Sequence, residues 1–136
     1  MTTTPVMTSV NNVPIISIVD DDPSFRRATA QLMESLGYAV ATFGSAEEFL
    51  RSEHVGDTAC LISDVQMPGM SGIELQNRLI ARGHRLPIIF VTAYSAVEAH
   101  SQALASGALG FFDKPFNEDK LISCLDQALS GRNAGT

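Results

Sequence analysis

Basic residues are scarce in this chain. Of its 136 residues only 9 are Lys or Arg, against 15 Asp and Glu, for a formal net charge of −6. That balance argues against a nucleic-acid surface, because phosphate is bound mainly by Lys and Arg. Long apolar runs are missing as well. Nothing approaches the roughly 20 consecutive apolar residues that span a bilayer, so no membrane contact is expected. The opening stretch, MTTTPVMTSVNNVP, lacks the charged start and apolar middle of a signal peptide. It reads as a polar leader over residues 1–13. Only two cysteines occur, Cys60 and Cys124, each in an apolar stretch. They read as reduced core thiols of a cytoplasmic chain, since a disulfide framework would be unusual there. The three histidines, His54, His84 and His100, are scattered without the spacing of a metal motif and read as surface residues.

What is present fits one globular domain. Hydrophobic residues make up 45% and charged residues 18% of the chain, enough apolar material for a core at this length. Apolar β-rich runs alternate with amphipathic helical patterns. Strands are expected over 14–20, 38–43, 59–64, 87–92 and 109–112. Runs such as IISIV and PIIFV do not alternate polar with apolar, which suits a parallel sheet covered on both faces. The first helix is expected to show a stripe of Phe25, Ala28, Leu32 and Leu36, stopped by Gly37. Three S-x-x-E matches, Ser45–Glu48, Ser71–Glu74 and Ser95–Glu98, predict capping boxes at the next three helix starts. Gly83 and Gly107 stand where the third and fourth helices should stop. The last helix should begin near Asn117 and bury Leu121, Ile122, Leu125 and Leu129, leaving 131–136 as a tail. The pattern is (βα)₅: an α/β, doubly wound, five-stranded parallel sheet with helices on both faces, occupying residues 14–130.

Such sheets bind ligands at the carboxyl ends of their strands, and here those ends carry the chemistry. The first strand ends in Asp20-Asp21-Asp22, the third in Asp64, and the fourth in Thr92; the fifth leads into Lys114. Carboxylates gathered at one edge demand a cation, and hard oxygen donors favour Mg²⁺. A Thr and a Lys at the same edge are poor metal ligands but good partners for phosphoryl oxygens. An Asp can itself be a nucleophile that forms an acyl phosphate, and phosphoryl transfer needs chiefly positioning and charge neutralisation. Asp22, directly before Pro23, reads differently, as a helix N-cap with a structural role.

Taken in order, IVDDD, LISDVQMPGMSG, VTAYS and FDKPF resemble the receiver domain of bacterial two-component response regulators, most closely the FixJ and NarL type. The likeness runs from about residue 15 to 129 and implies a flavodoxin-like fold. It implies that Asp64 is the phosphoacceptor and that Asp20 and Asp21 form an acid pair for Mg²⁺. Asp21 would bind the metal directly and Asp20 through water or the other metal shell, with Gln66 offering its backbone carbonyl. Thr92 and Lys114 would bind the phosphoryl group, and Phe111 would occupy the position of the switch aromatic, where Tyr is frequent. Pro115 would hold its loop through a cis bond. Gln66 and Tyr94, each two residues past a site residue, would tune the rate. The phosphodonor would be a sensor histidine kinase or a phosphotransfer protein. Phosphorylation would change the surface of the fourth helix and fifth strand, through which such regulators form homodimers. The domain would be a phosphorylatable switch and not an enzyme.

The residues alone also admit two other readings. Asp20, Asp22 and Ser24 match the D-x-D-x-[TS] signature of haloacid-dehalogenase-like phosphatases, with Asp20 as nucleophile, but this leaves Asp64 and MPGMSG unexplained. A flavin-binding flavodoxin-like protein would need a phosphate-binding loop after the first strand, where three aspartates would repel the phosphate. Arg26 and Arg27 lie near the mouth of the site, where they could guide a kinase, but they read first as solvated charge.

Overall fold

The computed structural model describes residues 13–93 and 96–134, the last four of these by backbone alone. Five strands, β1 (Ile15–Val19), β2 (Ala39–Phe43), β3 (Thr58–Ser63), β4 (Ile88–Thr92) and β5 (Gly110–Asp113), alternate with five helices, α1 (Pro23–Ser35), α2 (Ala46–Arg51), α3 (Gly72–Ala81), α4 (Val97–Ala105) and α5 (Glu118–Ala134). The strands form one sheet in the order β2-β1-β3-β4-β5, and every pairing is parallel. This is the flavodoxin-like (βα)₅ arrangement, with the order reversing beside β1 and β3.

The apolar strand runs follow from two cores, one on each face of the sheet. Successive strand residues point to opposite faces. Val19, Leu61 and Phe90 therefore join Phe49, Leu75, Leu79 and Ala103 on one side. Ile18, Ile62 and Ile89 join Met33, Leu121 and Leu125 on the other. Cys60 and Cys124 lie in this second core as free, buried thiols. Burial, with a smaller contribution from Cys124, pushes the Cys60 thiol up to about 12.

Local signals decide the ends of the helices. Ser71 and Glu74 form the full reciprocal capping box, Glu74 N–H donating to Ser71 Oγ at 3.1 Å and Ser71 N–H to Glu74 Oε1 at 3.0 Å. At α2 only half of the box forms. Ser45 Oγ accepts from Glu48 N–H, but the Glu48 carboxylate accepts from the Gly44 N–H instead, at 3.0 Å. The N-cap of α4 is Ala96, with no side-chain cap bond, and Ser95 of the third expected box lies outside the described residues. Gly83 and Gly107 do end α3 and α4. Both have positive φ, and the pairs Gly83 N–H to Ile80 O and His84 N–H to Leu79 O, repeated at Gly107 and Ala108, close the last turns.

Two expectations shift. On α1 the deeply buried residues are Thr29 and Met33, while Leu36 is 40% exposed. The buried stripe is displaced by one residue because a polar Thr occupies a core position. Helix α5 runs to Ala134, into the stretch read as a tail, since a lone Gly131 costs a helix only about 1 kcal/mol and no proline follows.

Gly72 opens α3 directly behind the site. Its N–H donates to the Val65 carbonyl at 2.7 Å. A Cβ there would overlap the Asp64 carbonyl oxygen and press on Phe90. Helix propensity alone favours Gly72→Ala by up to about 1 kcal/mol, whereas overpacking costs about 1–3 kcal/mol. Gly72→Ala is expected to lower stability, read as a lower urea midpoint with unchanged slope; a raised midpoint would contradict the close approach.

Candidate functional site at the carboxyl edge of the sheet

The backbone ladder carries the site residues just beyond the strands. Asp20 N–H donates to the Phe43 carbonyl at 3.1 Å, Asp64 N–H to the Val19 carbonyl at 3.0 Å, and Lys114 N–H to the Thr92 carbonyl at 2.8 Å. Each residue is thus fixed by the sheet though it stands outside it or at its edge. Asp20 and Asp64 are buried, at 1% and 7% exposure, and Asp21 is exposed. Ligand oxygens of Asp20, Asp21 and Asp64 all lie within 4.8 Å of one another.

The Lys114 ammonium bridges two of these carboxylates. Its Nζ donates to Asp20 Oδ2 at 2.9 Å and to Asp64 Oδ2 at 3.1 Å. The other Asp20 oxygen accepts from Asp22 N–H at 2.9 Å, and the other Asp64 oxygen from Gln66 N–H at 3.2 Å. Burial raises the Asp20 carboxyl above its ordinary value, against the hydrogen bonds from Asp22 N–H and Lys114 and with some help from the charge of Asp64. Burial works to lower Lys114, but its hydrogen bonds and charge attraction to Asp20 and then Asp64 outweigh that and hold it above its ordinary value.

The remaining residues take distinct places. Asp22 points away from the cluster and caps α1, accepting from Ser24 N–H at 3.0 Å and Phe25 N–H at 3.4 Å, with Pro23 in the first helical turn. Thr92 is fully buried at the end of β4. The Lys114–Pro115 peptide bond is cis. Phe111 is half-buried, 6.0 Å from Phe90 and stacked on the His100 ring at 4.6 Å and 5°. Gln66 is exposed, and Tyr94 lies outside the described residues.

Three contributors escaped the sequence reading. Arg26, taken as solvated charge, is half-buried and donates to the Asp20 carbonyl at 2.6 Å. Glu47 accepts from Met70 N–H at 3.0 Å, tying α2 to the loop that follows Asp64. Hydrogen bonds from backbone N–H groups, its own first and Met70's second, hold its carboxyl below the ordinary value. Phe25, read only as part of a core stripe, lies 4.0 Å under the Lys114 ammonium. A positive or aromatic residue in the first turn after the aspartates was the available signal for Arg26 and Phe25. Glu47 had no local one.

A family model for the response regulator receiver domain matches residues 16–126. The chain belongs to that family. Receivers are phosphorylatable switches of two-component signalling and not turnover enzymes, and the acidic cluster of this one can coordinate a divalent metal. The receiver is 36% identical over 118 residues to nodulation protein W of Bradyrhizobium diazoefficiens, covering 87% of this chain and 52% of that protein. It is 38% identical over 119 residues to the transcriptional regulatory protein FixJ of Azorhizobium caulinodans, covering 88% and 56%. The chain therefore spans about half the length of the curated relatives it matches. Among solved structures, a response regulator receiver protein from Pseudoalteromonas atlantica superposes with a TM-score of 0.81 at 32% identity, covering 88% of this chain and 99% of that one. Among the described residues, no helix is long and apolar enough to cross a membrane.

The raised Asp20 carboxyl has a consequence for stability. A folded-state value above the unfolded one means that the group's contribution is fully present below about pH 3.8 and is lost as pH rises through the folded value. At neutral pH the ionised Asp20 is a net cost. Asp20→Asn is expected to raise the urea midpoint at pH 7 in metal-free buffer, and the gain should shrink as the pH is lowered toward 3.8. A gain that grew on acidification would have the wrong sign for this account.

Proposed function

We propose that this receiver accepts a phosphoryl group on Asp64 from a phosphohistidine of a sensor histidine kinase or phosphotransfer protein, with Mg²⁺ as the required ion. The observation that carries the proposal is the Lys114 ammonium set between Asp20 and Asp64, with Asp21 completing a set of ligand oxygens within 4.8 Å. The donor set fits the ion: hard carboxylate oxygens are what Mg²⁺ takes. Asp21 would bind it directly, Asp64 and the Gln66 carbonyl would join, and Asp20 would act through water or the other metal shell. When bound, Mg²⁺ supplies neutralisation of the charge on the phosphoryl oxygens during transfer.

The chain's own residues would do the rest. An Asp64 carboxylate oxygen attacks phosphorus, an O–P bond forms, and the N–P bond of the phosphoimidazole breaks, with the electron pair staying on nitrogen. Gln66 N–H holds one Asp64 oxygen in place, and Lys114 moves from the carboxylate to the new phosphoryl oxygens. That group carries about −1.5 to −2 charge, so it competes well for the ammonium. Thr92 would donate its hydroxyl to another phosphoryl oxygen. Phe111, wedged between Phe90 and His100, would then repack and alter the α4 and β5 surface, which would serve a homodimer or an output partner. Gln66 and Tyr94 would border the phosphoryl group and set its lifetime against water. Residues 14–130 would form the body of the receiver, with residues 1–13 as a leader and α5 carrying on past it to Ala134. The lengths of the relatives support a place in a longer protein, and the name of the FixJ relative supports a transcriptional regulator; it would be cytoplasmic, with nucleic acid contacted elsewhere than by this chain. The phosphatase reading loses its second aspartate, because Asp22 caps α1.

Asp64→Asn and Asp21→Ala are each expected to abolish Mg²⁺-dependent labelling by acetyl phosphate, while Asp22→Ser leaves it largely intact. Equal loss in Asp21→Ala and Asp22→Ser would reject this division of roles, and labelling that survives Asp64→Asn would reject the acceptor. Tyr94→Ala is expected to change the half-life of the phosphorylated form; an unchanged half-life removes Tyr94 from the site.

A further inference from the structure

We infer that Phe25 is a positioning residue for Lys114: its ring holds the ammonium toward Asp20 and Asp64 and keeps water from its free side. The inference rests on the role proposed above for Lys114. An ammonium has three N–H donors and no acceptor. Two of them serve Asp20 Oδ2 and Asp64 Oδ2. The ring of Phe25 covers another side, with Nζ 4.0 Å from its centroid, and the negative face of an aromatic ring attracts a cation.

The ring is itself held in place. Phe25 stands in the first turn of α1, where its N–H donates to the capping Asp22 carboxylate at 3.4 Å. Its ring meets Phe116 edge-on, at 5.9 Å between centroids and 85° between planes. The turn that delivers Asp20 and Asp21 to the site therefore delivers the ring as well. Beside it opens a cavity of about 410 Å³ bounded by Phe25, Lys114, Pro115, Phe116 and Glu118. Without the ring, the ammonium would face this space. A lysine stem has much rotamer freedom to lose. The ring narrows the arc open to Nζ, so that the ammonium can pass from carboxylate to phosphoryl oxygen but not out to solvent.

The test uses Phe25→Leu, which removes the ring and keeps apolar volume, and Phe25→Tyr, which keeps the ring. Urea midpoints establish that both variants are folded. In Phe25→Leu the rate constant for labelling by acetyl phosphate at saturating Mg²⁺ is expected to fall about fivefold, the scale of one lost cation–π contact. Mg²⁺ affinity by calorimetry should stay at the wild-type value, and Phe25→Tyr should label as the wild type does. A second measurement needs no phosphorylation. Proton exchange of the Lys114 ammonium with water, followed by ¹⁵N NMR, is expected to be slow in wild type and Phe25→Tyr and severalfold faster in Phe25→Leu. Unchanged labelling and exchange in Phe25→Leu would overturn the inference, as would Phe25→Tyr behaving like Phe25→Leu. If the wild type takes no label, or Asp64→Asn still does, the acceptor reading fails, and the exchange comparison decides the role of Phe25 by itself.

Discussion

The Lys114 ammonium between the Asp20 and Asp64 carboxylates is the interaction on which this structure turns. Two carboxylates with oxygens within 4.8 Å repel by about 3.5 kcal/mol or more at an effective dielectric constant of 20, and both are buried. The sheet forces that approach, because parallel pairing of β1 with β3 brings both strand ends to one edge. Asp20, Asp21 and Asp64 together with Lys114 carry two negative charges in excess when the three acids are ionised. A divalent cation would balance that excess, and the phosphoryl group proposed for Asp64 would upset it again. The ammonium would then have a stronger anion within reach than the carboxylates that now hold it. A group that must be able to change partners is better served by a lysine stem than by the rigid fork of an arginine.

A contiguous run of contacts leads outward from Lys114. Lys114 is bound through its backbone N–H to the Thr92 carbonyl, and Thr92 ends the strand that carries Phe90. Phe90 lies 6.0 Å from Phe111, and Phe111 is stacked on His100 of α4. The two ends of α4 are held differently. Near its C-terminus the Gln76 amide donates to the Ala103 carbonyl at 3.1 Å, and the Gly107 turn closes the last carbonyls. At its N-terminus the cap residue Ala96 makes no side-chain cap bond, so a capping contribution of about 1 kcal/mol is missing there.

What could be read in the sequence was what depends on neighbours along the chain. The strands declare themselves by continuous apolar runs, and Ser71–Glu74 by a box that closes within one turn. The aspartates, Thr92 and Lys114 are legible because the fold places every strand exit at one edge, so locating the strands also locates the chemistry. Apart from Arg26, only six residues from the Asp20 carbonyl it binds, the contacts that escaped join distant elements. Glu47 reaches Met70 across 23 residues and Gln76 reaches Ala103 across 27, and nothing local marks either. Thr29 was passed over for a different reason. A pattern built on apolar residues cannot register a buried hydroxyl, so the α1 stripe was placed one position off.

The run Asp20-Asp21-Asp22 shows how three like charges share one turn. Only Asp20 enters the core, at 1% exposure, and it is compensated by Lys114 and by the Asp22 N–H. Asp21 stays in solvent, where its charge is screened, yet within reach of the same centre. Asp22 turns to the start of α1, where free N–H groups and the positive end of the helix dipole favour a carboxylate. Arg26, one turn further on, donates to the carbonyl of Asp20 and fixes the bend from behind. Asp20 and Asp22 are thus held by different donors while Asp21 faces solvent, and the burial falls on Asp20. Its raised carboxyl is the consequence of that burial, at the one position where a bound cation would offset it.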